Sequence, residues 1–117
     1  MGDVRILHVG DVMAKPGMIA IRRLLPKMIA DRAVDFTIVN GENAAGGVGI
    51  TPELAKELFL AGADVITTGN HVWRQREIRP YIEREPRLLR PLNFREGQPG
   101  VGFGVFETAA GVPVAVM

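Results

Sequence analysis

The chain has 117 residues, of which 47% are apolar and 23% are charged, and its 14 Lys and Arg against 13 Asp and Glu leave a net charge of +1. This is the composition of one globular domain, and so small a charge argues against a dedicated nucleic-acid binder. The absence of cysteine excludes disulfides, thiol catalysis and cysteine-ligated zinc. Because no leader pattern and no apolar run near the roughly 18 residues of a membrane span is visible, we expect a soluble, cytoplasmic protein without a membrane partner.

The first part of the chain alternates short apolar strands with amphipathic helices. Strands are predicted at 5–9, 36–39 and 65–67, where branched and aromatic residues are concentrated. A helix is predicted from the turn at 15–17 to about residue 30, with a kink or a break at Pro26 because proline has no N–H. A second helix is expected to begin at Thr51, whose hydroxyl can cap it, and to end at Gly62.

The later elements are a polar helix and three more strands. The helix is predicted at about 75–84, and the strands at 88–90, 102–107 and 112–117, with a Pro/Gly-rich loop at 91–100. Strands that alternate with helices, without hairpin-length turns, predict an α/β fold with a parallel sheet and right-handed crossovers.

Polar residues follow each of the first three strands directly. These residues are Asp11, the pair Glu42 and Asn43, and the pair Asn70 and His71. Because the carboxyl ends of parallel strands share one edge of a sheet, and ligands bind at that edge in open α/β sheets, we expect these side chains to form one site. The alternative is that they are turn formers, helix caps and solvated side chains.

Carboxylates, amide oxygens and an imidazole are ligands that suit Mn²⁺, Fe or Mg²⁺ better than they suit metals that prefer thiolate ligands. A carboxylate such as Glu42 can bridge two ions, with Asp11 on one ion and Asn70 on the other. Two ions about 4 Å apart can activate a hydroxide and clamp a phosphoryl group. His71 is then placed to protonate the leaving oxygen.

Other conspicuous residues have simpler interpretations. His8 is expected to be structural, and Trp73 to pack at a helix start, with base stacking as the alternative. The segment 73–96 holds seven Arg and four Glu and is expected to be a solvated face, with anion recognition as the alternative. The glycines at 46–49 predict a flexible rim, or else a loop that approaches phosphate.

Four segments resemble the calcineurin-like metallophosphoesterases and, within them, the bacterial YmdB-like cyclic-nucleotide phosphodiesterases. They are ILHVGDV at 6–12, VNGENAA at 39–45, TGNHVW at 68–73 and the loop that runs from RPLNF at 90–94 through GQPG at 97–100. The resemblance implies a layered metallophosphoesterase fold with a mainly parallel central sheet. It also implies a dinuclear, metal-dependent phosphodiesterase that hydrolyses 2′,3′- or 3′,5′-cyclic AMP-type nucleotides by attack of a metal-bridged hydroxide.

The resemblance also assigns roles residue by residue. Asp11 and Asn43 bind one metal, Glu42 bridges both, Asn70 binds the second, and His71 is the proton donor. The cofactors are two divalent ions, Fe or Mn, with Mg as the alternative. The implied partners are a small cyclic nucleotide or phosphodiester substrate, RNA ends as a further candidate, and other copies of the chain in a homo-oligomer.

The histidines set a limit on this interpretation. The family completes its metal centre with further histidines from a longer chain, whereas this sequence holds only His8 and His71. We therefore expect residues 1–117 to form a single α/β domain, the N-terminal portion of a metallophosphoesterase domain that is incomplete at its C-terminus and holds metal weakly. The rival hypothesis is a catalytically silent α/β module that oligomerises or binds nucleotides, suggested by those missing histidines and by the apolar strand at 112–117.

Overall fold

The computed structural model describes residues 2–117 and contains three helices and six strands within that range. In chain order they are β1 (Ile6–Val9), α1 (Ala14–Asp31), β2 (Phe36–Asn40), α2 (Pro52–Ala61), β3 (Val65–Thr67), α3 (Ile78–Ile82), β4 (Leu88–Leu89), β5 (Gly104–Glu107) and β6 (Pro113–Val116). The alternation of strand and helix predicted from the sequence is thus confirmed through β4.

The first four strands form one parallel sheet in the order β1-β2-β3-β4. Their carboxyl ends are level, because Val9 pairs with Val39, Asn40 pairs with Thr67, and Thr67 pairs with Leu89. The α/β fold with a mainly parallel central sheet is therefore confirmed. Since neighbours in the sequence are also neighbours in the sheet, the loops that follow the strands stand side by side.

The last two strands depart from the prediction. β5 and β6 pair antiparallel as a separate two-stranded ribbon. The turn between them is closed by Thr108, whose N–H donates to the Val112 carbonyl at 2.9 Å and whose hydroxyl accepts from the Val112 N–H at 3.1 Å. The expectation that hairpin-length turns are absent is wrong for this pair, because Gly111, at φ 81°, allows the chain to reverse.

The sheet is covered on both faces. Val39, Ile66 and Leu88 face the helices and belong to the larger apolar cluster. The residues that alternate with them face the ribbon and form a second cluster: Phe36, Val65 and Leu89 with Val114 and Val116. The apolar run predicted as a strand at 112–117 thus has its alternate valines packed, with Val114 9% and Val116 6% exposed.

The helices follow local sequence signals with two differences. α1 begins before the predicted turn, since Pro16 lies in the first helical turn, where its missing N–H costs no helical hydrogen bond. It is continuous through Pro26, which excludes a break there. α2 begins as predicted, with Thr51 Oγ1 accepting from the Leu54 N–H at 3.2 Å. α3 is shorter than predicted, because residues 71–77 form turns instead of helix.

Among residues 2–117, no helix combines the length and the apolar character that crossing a bilayer requires.

Candidate metal centre

The loops after β1 and β2 are joined by their main chains. The Val12 N–H donates to the Asn40 carbonyl at 3.1 Å, and the Ala14 N–H donates to the Asn43 carbonyl at 3.0 Å. Ala14 makes this bond from a left-handed conformation at φ 53°, which costs a non-glycine residue about 1 to 3 kcal/mol. The surrounding structure therefore holds Asp11 and Asn43 in a set relation to each other.

Asn43 connects the ends of three strands. Its Nδ2 donates to both carboxylate oxygens of Asp11, each at 3.1 Å, and its Oδ1 lies 2.7 Å from Nδ1 of His71. The Asn43 residue is only 9% exposed, whereas Asp11 is exposed and His71 is half-buried. The structure thus brings Asp11, Asn43 and His71 together, as the strand-end pattern predicted.

Glu42 presents a carboxylate that the protein does not satisfy. Its Oε2 is buried and has no hydrogen-bond partner among the described residues. Gly69 makes the enclosure possible, because a Cβ at that position would lie 2.5 Å from Glu42 Cδ and 2.6 Å from Oε1. Burying a polar group without a hydrogen-bond partner costs roughly 2 to 7 kcal/mol, and a bound cation would offset this cost at Glu42.

The donor set fits divalent ions. Carboxylates of Asp11 and Glu42 and side-chain oxygens of Asn43 and Asn70 are hard ligands, and the orphaned Glu42 oxygen is the group that a cation would satisfy. Within residues 2–117 no three His, Cys, Asp or Glu side chains cluster as a metal site would require. If these residues hold a metal ion, amide oxygens would have to supply part of its coordination. Asn70 follows β3 at this edge and is exposed.

The glycine loop after β2 is bonded to the site. Gly46, Gly47 and Gly49 have φ of 62°, 92° and 85°, a region that side chains disfavour. The Gly47 N–H donates to the Asn43 carbonyl at 3.1 Å, and Gln75 Nε2 donates to the Val48 carbonyl at 2.8 Å. The loop expected to form a rim is thus hydrogen-bonded both to Asn43 and to Gln75, in the segment after His71.

Trp73 packs, as expected, and is not a free stacking platform. Its Nε1 donates to Gln98 Oε1 at 2.8 Å, and its ring has Phe94 at 6.4 Å and the Arg79 guanidinium at 5.3 Å. The Arg-rich segment is confirmed as a mainly solvated face, with its arginines exposed except for the half-buried Arg90. His8 is exposed on β1, between Leu7 and Val9, which pack towards the helices.

Two residues at this edge escaped the sequence prediction. Gly69 shapes the enclosure of Glu42, and Arg90 directly follows β4, the fourth strand of the sheet. The Arg90 Nε is buried without a hydrogen-bond partner among the described residues, while Nη1 donates to the Pro91 carbonyl at 3.2 Å. The same strand-end rule that selected Asp11 would have selected Arg90, had β4 been counted in the same sheet.

Comparison with known proteins identifies a family and several relatives of this chain. A family model described as "YmdB-like protein" matches residues 7–117. A Bacillus subtilis protein named 2′,3′-cyclic-nucleotide 2′-phosphodiesterase is 44% identical over 114 residues, which cover 97% of this chain and 43% of that protein. A putative phosphatase/phosphodiesterase of Mycoplasma genitalium is 32% identical over 96 residues, which cover 82% of this chain and 34% of that protein.

Two crystal structures share the fold. A hypothetical protein from Thermus thermophilus superposes with a TM-score of 0.87 at 40% identity, over 96% of this chain and 43% of that one. A novel phosphatase from Mycoplasma pneumoniae superposes with a TM-score of 0.84 at 33% identity, over 92% and 40%. The chain spans less than half the length of these relatives. Because the family match covers nearly all of it, the chain belongs to the YmdB-like protein family.

Proposed function

We propose that this chain supplies the metal-holding and proton-donating residues of a hydrolase, a phosphodiesterase that acts on small cyclic nucleotides. The observation that carries the proposal is the buried Oε2 of Glu42, which has no hydrogen-bond partner within residues 2–117, beside the hydrogen-bonded group of Asp11, Asn43 and His71. The name of the Bacillus subtilis relative favours a 2′,3′-cyclic phosphate as substrate. A 3′,5′-cyclic nucleotide and an RNA end are the alternative substrates.

Four residues would hold the ions. Asp11 and Asn43 would bind one, Asn70 the other, and the Glu42 carboxylate would be shared between them. Fe or Mn suits this oxygen-rich set, and Mg is the alternative. Two such ions, when bound, activate a water and neutralise the charge that develops on the phosphoryl group.

His71 would complete the reaction as general acid. Hydrolysis of a 2′,3′-cyclic phosphate forms a bond from the oxygen of water to phosphorus and breaks the bond from phosphorus to one ribose oxygen. That ribose oxygen leaves as a hydroxyl and must receive a proton. A histidine at hydrogen-bonding distance from the leaving oxygen contributes a factor of about 10² to 10⁴ to such a step.

The test is a hydrolysis assay of the native full-length protein in the presence of Mn²⁺. The substrates are 2′,3′-cyclic AMP, 3′,5′-cyclic AMP and an RNA with a 2′,3′-cyclic end. We expect His71→Asn to lower kcat for the preferred substrate by about 10² to 10⁴ and Glu42→Gln to lower it as well. His8→Asn is the matched control, since His8 is exposed on β1. Unchanged turnover in both site variants would overturn the proposal.

We also propose that the protein is a homo-oligomer. Support comes from apolar surface at one edge of the sheet: among residues 2–117, β1 pairs only with β2, and Ile6 is 50% exposed. The ribbon covers residues of β2, β3 and β4, and the ribbon-side cluster does not include Ile6. A second copy would remove this apolar surface from water.

A further inference from the structure

The side-chain amide of Asn43 can point only one way. Its Nδ2 lies 3.1 Å from both Oδ1 and Oδ2 of Asp11. An ionised carboxylate only accepts hydrogen bonds, so the group that faces it must be the NH₂. Turned over, the amide would place its own oxygen against two carboxylate oxygens, which is repulsive. The chemistry of Asp11 therefore determines the orientation of Asn43.

This orientation in turn constrains His71. With its NH₂ on Asp11, Asn43 offers the oxygen Oδ1 to the Nδ1 of His71, 2.7 Å away. Because an amide oxygen can only accept, the Nδ1 must carry a hydrogen. In the neutral ring the proton is then absent from Nε2, and the ring nitrogen left to face a substrate is Nε2.

The arrangement is held from the backbone side as well. Asn43 is 9% exposed, and its carbonyl accepts from the N–H groups of both Ala14 and Gly47, at 3.0 and 3.1 Å. The residue therefore has little freedom to turn its side chain away. An amide oxygen has two lone pairs, so Oδ1 can serve His71 with one and keep the other for a metal ion.

We propose that Asn43 is a positioning residue: oriented by Asp11, it sets His71 in the tautomer that carries its proton on Nδ1 and presents Nε2 to the substrate. To act as general acid, His71 must take up a second proton on Nε2 and give that proton to the leaving oxygen, which returns the ring to the Nδ1–H tautomer; only this role of Nε2 rests on the proposed function. The tautomer itself follows from the hydrogen bonds of Asp11, Asn43 and His71. Asn43 thus acts through His71, in addition to its proposed place among the metal ligands.

The experiment is to record long-range ¹H–¹⁵N spectra of the histidine rings of the labelled 117-residue chain, without substrate and with a chelator present. The pH is raised until the ring nitrogen shifts no longer change with pH, so that the spectra report the neutral rings. The chain has two histidines, and His8→Gln assigns the two ring systems. We expect His71 to show the hydrogen on Nδ1, and the exposed His8 to show the Nε2–H form that free histidine prefers.

Two variants test whether Asp11, through Asn43, sets the tautomer of His71. Asn43→Ala removes the acceptor, and we expect the His71 ring to change to the pattern of His8. Asp11→Asn retains the contact between Asn43 and His71 but lets either end of the Asn43 amide face residue 11, so we expect a mixture of tautomers. Glu42→Gln is the control, because no hydrogen bond joins the Glu42 side chain to Asn43 or His71, and it should leave the His71 tautomer unchanged.

An Nε2–H form of His71 in the unaltered chain would overturn the proposal. So would an unchanged His71 tautomer in Asp11→Asn with a native amide spectrum, which keeps the test decisive even if Asn43→Ala does not fold. Because the spectra are recorded without substrate or metal, they test the tautomer independently of the hydrolysis assay, which tests the proposed function. Inactive protein with an Nδ1–H His71 would contradict the proposed function alone.

Discussion

At the residue scale, Gly69 lies against the Glu42 carboxylate more closely than any side chain would permit. Gly69 does not have a positive φ, so its backbone conformation does not by itself require glycine. The requirement is one of space, because a Cβ would meet three atoms of the carboxyl group within 2.6 Å. Glu42 therefore depends on its neighbour for the position in which it would meet a metal ion.

We predict that Gly69→Ala weakens Mn²⁺ binding by about 10- to 100-fold, the usual cost of disturbing a group that orients a ligand. The added methyl must displace the Glu42 carboxylate. Calorimetric titration with Mn²⁺ measures the change. Gly10→Ala is the matched control, because Gly10 also lies at this edge beside Asp11, yet a Cβ there would meet nothing within 4 Å. Equal affinities for the two variants would contradict the prediction.

At the element scale, α2 begins with a cap at Thr51 that the sequence predicts and that fixes the end of the glycine loop before it. Thr51 accepts the Leu54 N–H with its hydroxyl, Pro52 occupies the first turn, and Glu53 adds a favourable negative charge there. Leu58 on this helix is fully buried in the cluster that underlies the sheet. The cap therefore sets where the glycine loop after Asn43 must end.

We predict that Thr51→Ala lowers the free energy of unfolding by about 1 kcal/mol, whereas Thr51→Ser, which keeps the hydroxyl, lowers it by much less. Urea denaturation monitored by circular dichroism gives both values. If alanine and serine at position 51 gave the same stability, the hydroxyl would have no capping role.

The segment that enters β4 carries an ion pair with a consequence for acid stability. Arg87 donates from Nε and Nη2 to the two Glu85 oxygens at 2.9 and 3.0 Å. These side-chain hydrogen bonds lower the pKa of Glu85 below its ordinary value of 4.5, and partial burial opposes them. Because the pKa is lower in the folded state, the pair stabilises the fold above the ordinary value and stops doing so as the pH falls through the lowered one.

We predict that Glu85→Gln destabilises the protein at neutral pH by less than about 1 kcal/mol, since the Arg87 side chain is 48% exposed. The difference from the unaltered protein should disappear as the pH falls below the lowered pKa of Glu85. Urea midpoints at neutral and acidic pH measure it, with Glu83→Gln as the control at an exposed neighbouring position. A difference that grew in acid would have the wrong sign.

At the scale of the whole molecule, the two faces of the four-stranded sheet are covered to different extents. Helices cover one face, and the β5-β6 ribbon covers β2 to β4 on the other, while Ile6 of β1 stays 50% exposed. The edge of the sheet that carries the candidate metal centre is formed by the loops after the strands and is separate from this uncovered surface. Assembly through β1 would therefore leave the loops of the site free of the contact.

We predict that the protein sediments as a homo-oligomer and that Ile6→Lys shifts it towards the monomer, because a charge cannot be buried in an apolar contact without a partner. Sedimentation velocity measures the distribution. Leu60→Lys is the control, since Leu60 is 88% exposed on α2, away from β1. A monomeric unaltered protein would refute the prediction.

Local patterns were sufficient for much of the fold and for the polar residues that gather at the carboxyl edge of the sheet. Apolar runs located β1, β2 and β3, and the residues just after them named Asp11, Glu42 and His71. The hairpin of β5 and β6 was missed because its turn has few strong signals besides Gly111. The extent of α3 was overestimated, since residues 71–77 turn to bring His71 to Asn43 and Trp73 to Gln98, contacts that no local preference encodes.

What the sequence determined by itself is therefore the identity of the polar groups and the edge on which they gather, because strand periodicity and parallel connection follow from residues near one another in the chain. The tertiary structure alone decided which atoms meet. The Asn43 amide spans Asp11 and His71, and Gly69 closes over Glu42. These contacts join residues 27 to 32 positions apart, so they arise only when β1, β2 and β3 stand side by side.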